Sequence, residues 1–130
     1  MILNIDLASA VPIYQQLRDQ VVEAIADGEL AEGSSLPPIR TLAADFGINF
    51  HTVNKAYDLL RKEGLIRLNR KTGAVVAASA ADPPFAADWT ARARTLLAEA
   101  VARGLSADEV LATCRSVLDS FASTHREDTP

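Results

Sequence analysis

The sequence predicts a mainly α-helical fold with one small β-hairpin, and three observations support this. Three stretches with apolar residues at helical spacing occupy the first half of the 130-residue chain. Two short strand patterns flank a basic loop, and two more helical stretches follow a proline-containing boundary. Three helices closed by a hairpin are typical of a winged helix-turn-helix domain. We therefore expect such a domain at 1–79 and a short helical region at 80–130.

The first predicted helix spans about residues 12–27. Gly28 is suited to end it, because glycine readily adopts the left-handed conformation that follows many helices. Residues 33–38 contain a glycine and two prolines and predict a turn-rich connection. One face of the helix carries apolar residues at every fourth position: Ile13, Leu17, Val21 and Ile25.

A short second helix is predicted at 39–46 and a third at 50–63, with a turn at Gly47 between them. Asn49 is expected to cap the third helix, because its side-chain oxygen can accept from a backbone N–H two or three residues on. The inward-facing residues of the third helix follow the i, i+3, i+4, i+7 pattern: Val53, Ala56, Tyr57 and Leu60. The short helix, the turn and the third helix form the helix-turn-helix.

The two strand patterns cover 65–68 and 74–77. The hairpin loop between them carries two cations and a glycine that permits a tight turn. Its five residues are Asn69, Arg70, Lys71, Thr72 and Gly73. The loop tip is therefore a candidate contact to phosphate or to a minor groove.

The C-terminal region follows a boundary at 78–84, where Pro83 and Pro84 are not expected to continue a helix. A fourth helix is expected from about residue 85 or 88 to 103. A fifth should follow a capping box of Ser106 and Glu109, with a frayed tail from residue 124. Their apolar stripes, which include Cys114, are too extensive to bury against each other. A homodimer interface is therefore predicted at Trp89, Ala93, Leu96, Leu97, Ala100, Val101, Leu111, Val117, Leu118 and Phe121.

Charge is distributed unevenly along the chain, whose net charge is −4. Residues 1–39 carry −5, residues 40–71 carry +4 and residues 72–130 carry −3. A basic central stretch is typical of a nucleic-acid contact, although a solvated surface with uneven charge is an equally simple interpretation.

Several classes of function are excluded by composition. The longest run without a charge, residues 7–17, is too short to span a bilayer, and no secretory signal is expected. One cysteine forms no intrachain disulfide, which favours the cytoplasm. Two histidines and one cysteine do not supply a usual zinc site, so no metal or other cofactor is predicted. The sequence contains no phosphate loop, nucleophile elbow or histidine–carboxylate cluster, so we expect no enzyme.

The chain resembles the N-terminal domain of GntR-family bacterial transcription regulators over about residues 11–77. The resemblance is specific because spaced prolines, glycines and aromatic residues agree together. Two short helices after the wing resemble the YtrA-type subfamily, whose members are short, dimerise through those helices and often repress ABC-transporter operons. The matching residues are Pro12-Ile13-Tyr14, Gln16-Leu17, Gly28, Leu30, Gly33, Leu36-Pro37, Arg40, Leu42-Ala43, Gly47, Thr52-Val53, Ala56-Tyr57, Leu60 and Glu63-Gly64-Leu65-Ile66.

The resemblance implies that the N-terminal part of the third helix enters the major groove, where its exposed residues meet base edges. Asn54 can read adenine, Lys55 can reach guanine or phosphate, and Arg40 matches an arginine that contacts DNA in the family. The predicted DNA-binding residues are Arg40, Asn49, Phe50, His51, Thr52, Asn54, Lys55, Arg70, Lys71, Thr72 and Gly73.

Two residues depart from the family pattern. Pro38 stands where the family commonly has serine, which removes a hydroxyl for capping or phosphate contact. Phe50 stands where many relatives have an arginine that contacts DNA. Phe50 either packs against the second helix or contacts a thymine methyl group.

The partners implied are double-stranded operator DNA and a second copy of the chain. The sequence identifies no small-molecule effector, and two short helices alone offer little volume for a pocket. The alternative hypothesis is a winged-helix protein-interaction module without specific DNA binding. Phe50 favours this alternative, whereas Arg40, Lys55, Arg70 and Lys71 argue against it.

Overall fold

The structure is a computed structural model that describes residues 3–71, 73–77 and 81–127, with side chains as far as Phe121. The chain divides into two compact units, Met1–Ser79 and Ala80–Pro130. The described part of the first unit holds three helices and a two-stranded antiparallel sheet, and that of the second holds two helices. These elements confirm the predicted mainly helical fold with a small hairpin.

The first unit contains the helix-turn-helix and the hairpin. Its elements are α1 (Ile13–Ala26), α2 (Ile39–Phe46), α3 (Phe50–Lys62), β1 (Ile66–Asn69) and β2 (Gly73–Val76). α2 has the predicted bounds, and the other elements begin and end within one residue of those expected.

The core of the first unit is built from one face of each helix and one side of the hairpin. All four residues of the predicted α3 stripe are buried, and Val53, Ala56 and Leu60 are 0% exposed. Burial of a large aliphatic side chain stabilises a fold by about 1.5–3 kcal/mol. The stripe packs with buried residues of the other elements: Leu17, Val21 and Ala24 of α1, Leu42 and Ala43 of α2, and Ile66, Ala74 and Val76 of the hairpin.

The turn between α2 and α3 depends on glycine. Gly47 has a φ of 62°, in the left-handed region that a side chain disfavours. Just beyond it, the backbone N–H of Ile48 donates to the carbonyl of Ala43 at 3.0 Å, which satisfies one of the last carbonyls of α2. The glycine thereby allows α3 to begin only four residues after α2 ends.

Residues 33–36, where a turn-rich connection was predicted, lie beside β2 and hydrogen-bond to it. Ser35 bridges to Val75 in antiparallel sense, and the backbone N–H of Leu36 donates to the carbonyl of Ala74 at 2.8 Å. The N–H of Val76 donates to the carbonyl of Ser34 at 2.9 Å. β2 is therefore hydrogen-bonded on both sides, which holds the hairpin against the connection that leads into α2.

The N-terminal segment is bound along α1 by two glutamine side chains. Gln20 accepts from the backbone N–H of Asn4 at 2.7 Å and donates to its carbonyl at 2.8 Å. Gln16 exchanges the same pair of bonds with Asp6, at 2.9 Å each. Four residues of helix rise about 6 Å and two residues of extended chain about 6.6 Å, so the two repeats match.

The second unit consists of α4 (Pro83–Ala102) and α5 (Ala107–Glu127). The predicted capping box of α5 is confirmed: the N–H of Glu109 donates to Ser106 Oγ at 3.1 Å, and the N–H of Ser106 donates to the Glu109 carboxylate at 2.7 Å. None of the described helices is long and apolar enough to cross a membrane.

Two expectations for this unit were wrong. Pro83 and Pro84 start α4 instead of preceding it, because proline is tolerated in a first helical turn and Asp82 caps that turn by accepting from the N–H of Phe85 at 2.8 Å. α5 continues to Glu127 instead of fraying from residue 124, since no glycine or proline interrupts it. Cys114, which lies on the apolar stripe of α5, is exposed in the single chain.

Candidate nucleic-acid interface

Asn49 caps the N-terminus of α3, as predicted. Its Oδ1 accepts from the backbone N–H of His51 at 2.8 Å, and its backbone carbonyl accepts from Thr52 at 3.0 Å. These bonds satisfy donors that a helix start otherwise leaves unpaired. Asn49 thus stabilises the first turn of α3, which carries the exposed residues Phe50 and His51.

Phe50 lies between two candidate contact residues. The Arg40 guanidinium carbon, from the first turn of α2, stands 5.6 Å from the centre of the Phe50 ring. The His51 ring meets Phe50 edge to face, with a centroid separation of 5.6 Å. Phe50 remains 40% exposed and borders an open recess with Arg40, Ala43, Ala44 and Ile48. The Phe50 ring of α3 therefore contacts the Arg40 side chain of α2 at the protein surface.

The remaining candidates on α3 differ in their surroundings. His51 and Asn54 are exposed, whereas Thr52 is half-buried. The Lys55 ammonium lies 4.1 Å from the centre of the Tyr14 ring of α1, a cation–π contact. Tyr14 is half-buried and packs against the core, and its ring supports this candidate contact cation. No signal in the sequence pairs residues 41 positions apart on different helices.

The hairpin loop presents its two cations to solvent. Asn69 and Gly73 are paired across the hairpin, and Asn69 Oδ1 accepts from the backbone N–H of Lys71 at 2.9 Å. Gly73 has a φ of 76°, which agrees with its predicted role in the turn. Arg70 and Lys71 are exposed, and Thr72 lies outside the described residues. The contacts found at this loop are within the hairpin.

The start of α2 is held by α3. The Tyr57 hydroxyl donates to the backbone carbonyl of Pro37 at 2.6 Å, and burial raises the pKa of Tyr57 to about 12. Pro38 occupies the N-cap position of α2 without a side-chain hydrogen bond. The first turn of α2, which carries Arg40, is therefore positioned by Tyr57 instead of by a capping hydroxyl.

Cations of the first unit fall into two groups. Arg61 and Lys62 pair with Asp58 near the end of α3, and the pKa of Asp58 is lowered, chiefly by its hydrogen bond from Arg61. Arg18 of α1 pairs with Glu63 and Asp19, and the Glu63 hydrogen bond is the main cause of its raised pKa. Among the described residues of the first unit, the cations without a carboxylate partner are Arg40, Lys55, Arg67, Arg70 and Lys71. Arg67, exposed on β1, was not predicted as a contact.

The residues predicted as a dimer interface are mostly exposed in the single chain. Trp89 is 55% exposed, and Leu96, Leu111 and Leu118 are each between 65% and 68% exposed. Leu97, Val101 and Val117 are exposed as well, whereas Ala93, Ala100 and Phe121 are half-buried. A groove follows two rows of residues at i+4 spacing along α4: Trp89, Ala93, Leu97 and Val101 beside Thr90, Arg94, Ala98 and Ala102.

Known proteins match this chain over the helix-turn-helix and, in part, beyond it. A family model described as "Bacterial regulatory proteins, gntR family" matches residues 13–76, from α1 to the end of β2. The chain is 31% identical over 109 residues to the HTH-type transcriptional regulator Rv1152 of Mycobacterium tuberculosis, covering 84% of this chain and 88% of that protein. It is 37% identical over 78 residues to the HTH-type transcriptional repressor YtrA of Bacillus subtilis, covering 60% of each.

A solved structure shares both sequence and fold. YtrA from Sulfolobus acidocaldarius, a GntR-family transcription factor, superposes with a TM-score of 0.65 at 41% identity. The match covers 78% of this chain and 99% of that one. These relatives are transcriptional regulators by name, as the sequence predicted. The family match spans every predicted DNA-binding residue, since these lie between Arg40 and Gly73.

Proposed function

The chain belongs to the GntR family of bacterial regulatory proteins, and from that premise we propose that it is a sequence-specific repressor acting as a homodimer on a pseudo-palindromic operator. Membership of the family makes it a DNA-binding transcriptional regulator and not an enzyme. Sequence specificity, repression, dimerisation and the operator symmetry are the parts that we propose.

One observation carries the proposal of direct DNA contact. Arg40, Lys55, Arg70 and Lys71 are exposed and have no carboxylate partner in the described chain, whereas Arg61 and Lys62 pair with Asp58. An unpaired cation binds phosphate without first losing an internal ion pair. Each phosphate contact also releases counterions from DNA, which favours binding. These four unpaired cations lie at residues that the helix-turn-helix geometry would bring to DNA.

Direct readout is assigned to the start of α3. His51 and Asn54 are exposed there, off the buried stripe of Val53 and Ala56. Asn54 offers a donor and an acceptor on one amide, which suits the N6 and N7 positions of adenine. The exposed Arg70 and Lys71 of the hairpin loop are assigned to phosphate or to the minor groove. These roles follow the docking of winged helix-turn-helix proteins on duplex DNA.

Dimerisation is assigned to α4 and α5. Their exposed large apolar residues, among them Trp89, Leu97 and Leu118, form a surface that one chain leaves in contact with water. A second copy of the same helices covers it with the same residues, as a two-fold interface requires. Two reading heads related by a two-fold axis demand half-sites about 34–36 Å apart, or a multiple of that distance.

The proposed setting is the cytoplasm, where prokaryotic operators lie. Repression is proposed because the chain is similar to YtrA of Bacillus subtilis, which is named a repressor. An ABC-transporter operon is proposed as the target because YtrA-type relatives often repress such operons. No small-molecule effector is assigned.

The test is capture of genomic DNA fragments by the full-length protein, followed by mobility shifts against excess competitor DNA. We expect one short, pseudo-palindromic motif upstream of a transporter operon. The quadruple variant Arg40→Ala, Lys55→Ala, Arg70→Ala, Lys71→Ala should lose binding while keeping its fold. Failure of the wild-type protein to prefer any sequence over competitor would favour the protein-interaction module instead.

A further inference from the structure

Arg40 and Phe50 belong to different helices and meet at the exposed start of the helix-turn-helix. The guanidinium carbon of Arg40 lies 5.6 Å from the centre of the Phe50 ring. Arg40 is exposed, and no carboxylate pairs with it among the residues described. Phe50 therefore presents an apolar ring beside an unpaired cation at the exposed start of α3.

A guanidinium held over an aromatic face keeps its N–H donors available. These donors lie in the plane of the guanidinium, so contact with a ring face through cation–π attraction does not consume them. The ring also restricts the long arginine side chain before DNA arrives, which reduces the entropy cost of binding. Phe50 is therefore a positioning residue for Arg40.

Part of the Phe50 ring is exposed to solvent in addition to its contact with Arg40. It is 40% exposed and borders a recess whose other walls include Ala43, Ala44 and Ile48. Apolar walls leave a polar base edge without partners, but they favour a methyl group. The major groove displays one methyl group, on C5 of thymine, and phenylalanine is among the side chains that contact it.

We propose that Arg40 and Phe50 read two neighbouring base pairs as one unit. Arg40 donates to O6 and N7 of a guanine, and the edge of Phe50 contacts the methyl group of a thymine on the adjacent base pair. The Arg40 guanidinium carbon and the centre of the Phe50 ring are 5.6 Å apart. This distance is shorter than the combined rise of two base-pair steps of about 3.4 Å each. This inference rests on the proposed sequence-specific DNA binding and names a pair of bases that the operator must contain.

The test uses the full-length protein and the motif that it selects from a randomised duplex pool. Each thymine is replaced in turn by uracil, which removes only the methyl group, and each guanine by 7-deazaguanine, which removes only the N7 acceptor. We expect one thymine per half-site whose replacement weakens binding about fourfold, the value of one buried methyl-sized group. A neighbouring guanine should weaken binding at least fivefold when it is replaced.

Four variants separate the two roles. Phe50→Leu should keep the uracil effect and reduce the 7-deazaguanine effect, because it retains an apolar edge and loses the ring face. Phe50→Ala should lose the uracil effect and reduce the 7-deazaguanine effect, whereas Arg40→Ala should lose only the 7-deazaguanine effect. Arg92→Ala, a cation paired with Asp88 on α4, is the matched control and should change neither. Thermal unfolding checks that every variant is folded.

The outcomes distinguish the paired reading by Arg40 and Phe50 from the proposed sequence-specific DNA binding on which it rests. If the wild-type protein selects no motif, sequence-specific binding itself is wrong. If it selects a motif but Phe50→Ala and Arg40→Ala keep the wild-type base preferences, the paired reading is wrong and the function stands. An Arg40→Ala variant that binds all sequences more weakly by the same factor also overturns the inference, since Arg40 would then hold phosphate.

Discussion

The hydroxyl of Tyr57 donates a 2.6 Å hydrogen bond to the backbone carbonyl of Pro37. This bond joins the middle of α3 to the chain immediately before α2, across 20 residues of sequence. Tyr57 itself is buried, so the carbonyl of Pro37 has a partner that water does not easily replace. This contact adds to the core packing that places the two helices carrying Arg40 and Phe50.

Alkaline pH should destabilise the fold through Tyr57. Burial raises the pKa of Tyr57 from 10.0 to about 12, so the folded state holds this proton more tightly than the unfolded state does. Its contribution is complete below about pH 10 and is lost as the pH rises towards 12, by about 1.4 kcal/mol per pH unit. Tyr57→Phe should remove this part of the pH dependence. Urea unfolding at about pH 9 and about pH 11 measures it.

The matched control is Tyr14→Phe, which removes a hydroxyl from the half-buried ring beside Lys55. This variant should lose stability between the two pH values as the wild-type protein does. At neutral pH, Tyr57→Phe should cost about 0.5–1.5 kcal/mol, the net value of one hydrogen bond. The assignment fails if the alkaline loss is the same in Tyr57→Phe and in the wild-type protein.

Asn54 and Lys55 are neighbours in sequence but should affect DNA binding differently. Asn54 is exposed and should read a base, so Asn54→Ala is expected to relax preference at one base pair per half-site by about 1–3 kcal/mol. The Lys55 ammonium is held 4.1 Å from the Tyr14 ring, so we expect Lys55→Ala to weaken binding to all sequences alike by removing a bond to phosphate. Titration against a panel of single-base operator variants separates the two patterns. Unchanged base preferences in Asn54→Ala would contradict direct readout.

The hairpin loop should contribute to the salt dependence of binding. Arg70→Ala with Lys71→Ala is expected to weaken specific and non-specific binding together. It should also reduce the slope of log affinity against log salt by about 0.9 for each phosphate that the variant no longer neutralises. The control is Arg61→Ala with Lys62→Ala, which removes the same charge from a pair of cations bound to Asp58. A slope unchanged in the first variant, or equally reduced in both, would exclude a specific phosphate contact by the loop.

Removal of α4 and α5 should abolish dimerisation. A fragment ending near residue 80 keeps the buried core of the first unit, so we expect it to fold and to be monomeric. It should bind the full operator at least about 100-fold more weakly, because the second half-site contact is no longer effectively intramolecular. Sedimentation and operator titration measure both effects.

A full-length variant tests the same surface without truncation. Leu97→Asp introduces a charge among the exposed apolar residues of α4, and it should shift the sedimentation equilibrium towards monomer. Thr95→Asp, an exposed position outside the predicted stripe on the same helix, is the control and should remain dimeric. If the fragment ending near residue 80 still dimerises and binds like the full chain, the assignment of α4 and α5 to the dimer interface is wrong.

Local pattern in the sequence was enough to predict every helix and strand in the described part of the first unit. The period of an α-helix decides by itself that Val53, Ala56, Tyr57 and Leu60 share a face, and all four are buried. Caps are equally local, since Asn49 bonds a backbone group only two residues away. The position of the candidate interface at the start of α3 followed instead from the resemblance to the GntR family and from the way helix-turn-helix motifs dock on DNA.

Contacts between distant parts of the chain were decided only by the tertiary structure. Lys55 meets Tyr14 and Arg40 meets Phe50 because packed helices bring them together, and no periodicity relates residues on different helices. The pairing of residues 33–36 with β2 likewise joins segments about 40 residues apart. A sequence pattern repeats over a few residues, whereas these contacts depend on where whole elements settle against a common core. The sequence therefore predicted candidate interface residues, and only the folded chain decided how they are arranged.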